Sequence, residues 1–163
     1  MAETVLNQLP VLEFLERRLK GTLQPEDRTH LTYPTAISQL LDFEIAAIGK
    51  GTATVVVDVD SVRHGNQQGT VHGGFLVELA DAAIGTAHST LMEQGESFTS
   101  IDLHAVFLRP VWRDTLRAHA TPTFSGNTIT HYHCEIVRSS DGKSVATATS
   151  TVMTLRGQRA TGR

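Results

Sequence analysis

Two carboxylates, Glu78 and Asp81, interrupt a run that is otherwise almost wholly apolar, Phe75-Leu76-Val77-Glu78-Leu79-Ala80-Asp81-Ala82-Ala83-Ile84-Gly85-Thr86-Ala87. Three residues apart on a helix, they lie near one face. Desolvating an ionised carboxylate is costly, so a polar position on such a helix must reach a cleft, an interface or a partner cation. A carboxylate held in a cleft can act as a general base on water or attack an acyl carbon directly. The plain alternative is one wet stripe, or an ion pair with an arginine. The loop ahead of the run, His64-Gly65-Asn66-Gln67-Gln68-Gly69-Thr70-Val71-His72-Gly73-Gly74, is rich in glycine, which lets backbone approach a ligand closely. A helix beginning near Gly73 presents unpaired amides with the positive end of its dipole behind them, a place to hold an anion or a developing oxyanion. Glycines that merely make a tight loop-to-helix turn would look the same.

Other polar groups suggest other chemistry. His131 and His133 share one strand face with Glu135, with Tyr132, Cys134 and Ile136 on the other. No third ligand is signalled, so the expectation is a solvated face and no metal. Ser100, Asp102 and His104 alternate on one strand and superficially suggest a nucleophilic triad. Side chains two apart on a strand stand roughly 6 to 7 Å from one another, and no Gly-x-Ser-x-Gly elbow is present. The triad is set aside and Ser100 kept as a supporting hydroxyl. Cys134, the single cysteine, permits no intrachain disulfide and reads as packing.

The elements that must position these groups follow from periodicity. Residues 10–20 carry apolar side chains at helical intervals and stop at Gly21, an amphipathic helix. Residues 22–34, with two prolines, read as an irregular connection, and a short helical turn is expected over 35–41. The period then changes to two, giving strands on either side of a Gly49-Lys50-Gly51 turn and ending near Asp60. A polar loop runs to Gly69, and the apolar run forms the central helix. Four strands follow at 97–109, 114–125, 128–138 and 143–155, the last two separators, Ser125-Gly126-Asn127 and Ser139-Ser140-Asp141-Gly142, carrying hairpin chemistry. The expected fold is α+β, with the last four strands as a consecutive antiparallel meander and a curved sheet wrapped around one long helix.

Bulk properties exclude more than they assign. The 163 residues suit one domain; 40% are apolar, 19% charged, and the formal charge is −3, which argues against general nucleic-acid binding. No stretch approaches a membrane span, and the start, Met1-Ala2-Glu3-Thr4-Val5, lacks the basic and apolar regions of a signal peptide, so a cytoplasmic location is expected.

The run Asn66-x-x-Gly69-x-x-His72-Gly73-Gly74, followed by Asp81 seven residues after Gly74, resembles the signature of the PaaI-like (phenylacetate-degradation type) hotdog thioesterases. The resemblance covers about residues 40–155, including Phe107-Leu108-Arg109-Pro110; the N-terminal 35 residues fall outside it. It implies residues 1–35 as a helix and irregular extension, 36–157 as a hotdog domain and 158–163 as a tail. It further implies hydrolysis of an acyl-CoA thioester, a homodimer with shared active sites, often a homotetramer, and no cofactor beyond the coenzyme A of the substrate. Carried over residue by residue, Asp81 matches the catalytic carboxylate and Gly73 the backbone donor to the thioester carbonyl. Asn66 matches a polar partner of the water or thioester, and Ser100 a hydroxyl that helps hold the water, while His72 fixes the turn. Phosphates of coenzyme A need cationic or amide donors; Arg109 leads the candidates, with Gly74, Ser125, Gly126, Arg138 and Arg156 behind it. Phe75, Leu76, Ile84, Phe107 and the N-terminal helix are candidates for an apolar acyl pocket. A hotdog hydratase or dehydratase pairing His72 with Asp81, and a non-catalytic acyl-CoA-binding protein, are the competing readings.

Overall fold

The computed structural model of the chain describes residues 6–161; the start of the chain, read above for a signal peptide, and the last two residues of the tail lie outside the described residues. Its elements in order are β1 (Asn7–Gln8), α1 (Val11–Leu19), β2 (Asp27–Arg28), α2 (Ala36–Leu41), β3 (Glu44–Gly49), β4 (Thr52–Asp60), α3 (Ser61–His64), α4 (Gly73–Ser89), β5 (Ser97–Phe107), β6 (Arg113–Ser125), β7 (Ile129–Arg138) and β8 (Ser144–Leu155), with a 3₁₀ turn over Gly157–Ala160. The fold is the α+β hotdog fold: a six-stranded antiparallel sheet packed on α4.

Strand alternation decides which face meets the helix. On β4, Ala53, Val55, Val57 and Val59 are buried, and on β7 Tyr132, Cys134 and Ile136 are, while their neighbours face outward. Helix α4 buries Leu76, Leu79, Ala80, Ala83, Ile84 and Ala87 against them. Small alanines let the helix sit close to the sheet. Gly85 is the exception in this helix, since a mid-helix glycine costs about 0.5–1 kcal/mol relative to alanine.

The strand order is β3-β4-β6-β7-β8-β5, which corrects the consecutive four-strand meander. Only β6, β7 and β8 form one. Strand β5 pairs with β8 at the far edge, from Ser97 opposite Leu155 to Phe107 opposite Ala146. The reason lies in the segment joining β5 to β6, which has no hairpin chemistry. Its first amides, Leu108 and Arg109, donate to Val145 O on β8, whereas further on Val111 O accepts from Val71 and Trp112 O from Ser61. The segment thus passes from the β8 side to the β4 side across the N-terminal end of α4.

The N-terminal extension is more ordered than an irregular connection. Strands β1 and β2 pair in parallel, and the buried Asp27 carboxylate accepts from Gln24 N at 2.9 Å, Asn7 Nδ2 at 2.6 Å and Arg17 Nη1 at 3.2 Å. These bonds hold the Asp27 carboxyl below the usual carboxylate range, the Gln24 amide foremost. They fasten α1, whose Val11, Phe14 and Leu15 pack with Leu31, Tyr33, Ile45 and Ile48 over edge strand β3. The loop expected after Asp60 also contains α3, started by Asp60 Oδ1 accepting from Val62 N. Gly65 follows it because a Cβ there would fall 2.0 Å from Ser61 O.

Candidate active site

Helix α4 carries the two ends of the candidate site. At its start, His72 is the N-cap: its Nδ1 accepts from Gly74 N at 2.9 Å, while Phe75 N bonds to His72 O. The Gly74 amide is therefore occupied, and the Gly73 amide is left without an acceptor among the described residues. Glycine at 73 allows a close approach, because a Cβ there would lie 3.0 Å from Phe107 Cζ and would have to push that ring aside. Gly73, Asn66, Phe107 and Arg109 together line a cavity of about 340 Å³.

Asn66 shapes the rim of that cavity. Its Oδ1 accepts from Gln68 N and Thr70 N at 2.9 and 3.2 Å, and its Nδ2 donates to Thr70 Oγ1 at 3.0 Å. The side-chain oxygen is committed to the loop, leaving the second Nδ2 hydrogen as its remaining donor. Arg109, exposed and among the residues lining the cavity, donates from Nη1 to Ser144 O at 2.6 Å.

Two turns along the helix, Glu78 and Asp81 line a second cavity of about 460 Å³. Both are half-buried, and burial pushes both carboxyls above the usual range; the Asp81 charge raises Glu78 further. For Asp81, Ser100 opposes the shift: its Oγ donates to Oδ1 at 3.5 Å. A half-buried carboxylate with a raised pKa and one weak donor has the properties a general base or nucleophile requires.

Ser100 reaches Asp81 because β5 is irregular there. The register steps from Ser100 opposite Val152 to Asp102 opposite Thr151, so Ile101 is an extra residue on β5. Ser100 faces α4, whereas Asp102 turns outward, where its Oδ1 accepts from Thr151 N at 2.9 Å. This corrects the shared face expected of Ser100, Asp102 and His104, and the three are not a triad. His131 also lies on the outer face, bonded through Nδ1 to Thr151 Oγ1 at 3.0 Å. Among the described residues no three His, Cys, Asp or Glu side chains gather in a metal-holding arrangement.

The remaining candidates are dispersed. Arg138 forms a two-pronged pair with Asp141 in the β7–β8 turn, and Arg156 pairs with Glu96 and donates to Asn127 O. Ser125 and Gly126 form the β6–β7 turn, Gly126 N donating to Ile129 O. None of these four lines either cavity. The apolar groups differ from expectation too: Ile84 is buried in the core, Phe75 packs edge-on to Phe43 at 5.5 Å, and Leu76 and Phe107 line the Gly73 cavity. The Asp81 cavity is walled by Leu15 and Leu19 of α1, the N-terminal helix named above as a pocket candidate, together with Tyr33, Phe43, Gly85 and Phe98. Residue-type patterns gave no hint of Tyr33 or Phe98, although an inward position on β5 and a place one turn past Asp81 single out Phe98 and Gly85 once the bulge is known.

Comparison with known proteins gives the family of the chain. Residues 68–145, from the loop before α4 into β8, match the sequence profile of the thioesterase superfamily. A protein of Haemophilus influenzae, provisionally named an esterase, is 33% identical over 119 residues, which are 72% of this chain and 83% of that protein. Among solved structures, the Escherichia coli PaaI protein of the phenylacetic acid degradation operon superposes with a TM-score of 0.70 at 29% identity, over 76% of this chain and 87% of that one. A thioesterase of Haemophilus influenzae superposes with a TM-score of 0.69 at 28% identity, over 76% and 85%. With the helix-capping loop, the carboxylate two turns beyond it and the strand order all in place, the chain belongs to the thioesterase superfamily, among its PaaI-like hotdog members.

Proposed function

We propose that the chain hydrolyses acyl-CoA thioesters to the free acid and coenzyme A, with Asp81 as the reacting carboxylate and the Gly73 amide as oxyanion donor. The observation that carries this reading is the pair of half-sites on one helix. The uncommitted amide of Gly73 and the desolvated carboxylate of Asp81 lie in different cavities. Eight residues of helix separate them by about 12 Å, too far for both to touch one thioester. Two copies that place the Gly73 end of one against the Asp81 of the other would assemble a complete site. Strand β5 favours such pairing. It ends the sheet as an eleven-residue edge with Ile101, Val106 and Phe107 exposed, a surface that pairing with a second copy would cover.

In this site Asp81 either takes a proton from water or attacks the thioester carbonyl to form an anhydride that water opens. Either route builds negative charge on the carbonyl oxygen, where the Gly73 amide and the dipole of α4 stabilise it. Ser100 orients Asp81 or the water beside it. Arg109, at the mouth of the Gly73 cavity, meets phosphate oxygens of coenzyme A. A hydratase would need the His72 ring free to exchange a proton beside an Asp81, and its Nδ1 is instead committed as the helix cap, accepting from Gly74 N.

The test is thiol release from a panel of acyl-CoAs by the wild type and by Asp81→Asn. Turnover is expected to fall by at least about 100-fold in the variant. Because burial raises the Asp81 carboxyl, ionised Asp81 costs the fold stability at neutral pH, and Asp81→Asn is expected to melt at or above the wild-type temperature. Undiminished turnover in a folded Asp81→Asn protein would remove Asp81 from the mechanism.

A further inference from the structure

Gly85 has no structural reason to be glycine. It is absent from the positive-φ residues, it sits in the middle of α4, and the nearest atom to a Cβ built on it, Phe98 Cε2, is 3.8 Å away, an ordinary contact. Alanine would fit and would strengthen the helix. What a side chain at 85 would enter is the cavity beside Asp81, which stands one turn earlier on the same face. We propose that Gly85 is the specificity-determining position of the acyl pocket: its missing side chain keeps open a pocket, closed by α1 of the N-terminal extension, that takes neutral, apolar acyl groups.

This inference rests on the thioesterase reading and extends it to the substrate's acyl part. Two features decide the chemical class. Phe43 and Phe98 give the cavity apolar walls on the sheet side, and Leu15 and Leu19 close it from α1, a helix outside the stretch that matches the superfamily. Phe98 is held by an edge-to-face contact with the buried His88 ring at 5.2 Å, so the wall beside Gly85 is fixed rather than adaptable. The charges along the cavity are Glu44, Glu78 and Asp81 against the exposed Arg18 alone. That balance repels the phosphates of coenzyme A and any acyl group ending in a carboxylate. The anionic part of the substrate is left to the Gly73 cavity, where Arg109 stands.

The experiment compares wild type, Gly85→Ala and Gly85→Leu in thiol release from straight-chain acyl-CoAs from acetyl to decanoyl, with phenylacetyl-CoA and succinyl-CoA beside them. The wild type is expected to prefer the neutral acyl groups over succinyl. Gly85→Ala should melt higher than wild type, and its turnover of the longest acyl group the wild type accepts should fall about tenfold relative to its own turnover of acetyl-CoA, with a larger relative loss in Gly85→Leu. Chain-length profiles that run parallel in all three proteins, or a Gly85→Ala protein less stable than wild type, overturn the assignment, as does a wild-type preference for succinyl. If the wild type releases no thiol from any substrate, the thioesterase reading fails, and the pocket is judged by octanamide binding, followed through amide NMR shifts. Binding by wild type that is lost in Gly85→Leu supports the pocket, and equal binding or none refutes it.

Discussion

Ser100 Oγ stands 3.5 Å from Asp81 Oδ1, close enough to bias the carboxylate and too long to dominate it. Only the extra residue Ile101 makes this approach possible, by turning Asp102 outward while Ser100 stays on the helix side. The hydroxyl lowers an Asp81 pKa that burial raises. Removing it in Ser100→Ala should let the carboxyl rise further, so the deprotonated form is reached at higher pH. The acid limb of kcat against pH is expected to move to higher pH, with a loss of turnover near its midpoint and little change at high pH. A pH profile that keeps its midpoint would mean that Ser100 does not act through Asp81.

The Gly73 amide can be removed without disturbing the helix it begins. Gly73 is the first residue of α4, where proline is tolerated, and His72 already has φ −66° and ψ 136°, the extended backbone a residue before proline needs. Its ring carbons would press on Phe107, whose ring lies 3.0 Å from a Cβ at 73, so the substitution belongs in a Phe107→Ala background. Compared with Phe107→Ala alone, Gly73→Pro/Phe107→Ala should melt within a few degrees and lose about 10²–10³-fold in kcat. Circular dichroism checks the helix. A folded double variant with undiminished kcat would take the oxyanion role away from this amide.

His88 makes stability depend on pH independently of catalysis. Its ring is fully buried, facing Tyr132 Oη at 3.3 Å and Thr154 Oγ1 at 3.1 Å, and burial pushes its pKa down to about 4, Glu96 opposing weakly. In the unfolded chain the ring titrates near about 6.5. Between these values the unfolded state binds a proton that the folded state refuses. The stability is therefore complete above about pH 6.5 and is lost as pH falls toward about 4, by up to roughly 3 kcal/mol. Urea unfolding of His88→Gln should show a lower plateau at pH 7–8, by about 1–2 kcal/mol, and a shallower fall across this window. An unchanged slope would assign the acid sensitivity elsewhere.

What could be read from the sequence, and what could not, follows from the range of each signal. Alternation on β4 and β7 tells which side chains meet the helix, because it is a property of single strands. It says nothing about which strands are neighbours, so β5 was expected beside β6 although it lies across the sheet beside β8. One inserted residue, Ile101, reverses the alternation beyond it, and no residue type marks it as a bulge. The pattern of α1 announced a buried face and made the helix a pocket candidate, but which of its residues close the Asp81 cavity, Leu15 and Leu19, became visible only in the fold. Periodicity alone does not separate Asp81 from Glu78; only the spacing from His72-Gly73-Gly74 in the signature the chain resembles does, and that spacing is counted along one helix and owes nothing to tertiary packing.

That same count makes a shared site testable by mixing. Asp81→Ala and Gly73→Pro/Phe107→Ala should each be nearly inactive, one lacking the carboxylate and the other the amide. If one subunit's Gly73 serves the other's Asp81, a mixed dimer has one site with both groups intact and one with neither. Random re-association of equal amounts makes half the dimers mixed, with one working site in two whose Gly73 and Phe107 both come from the Asp81→Ala subunit, so activity should return to about a quarter of the wild-type level. Each variant refolded alone should remain inactive. If both groups instead acted within one chain, no mixed dimer would contain a complete site and mixing would recover nothing. Recovery on mixing therefore reports on which chain supplies the amide, a question that neither variant answers alone.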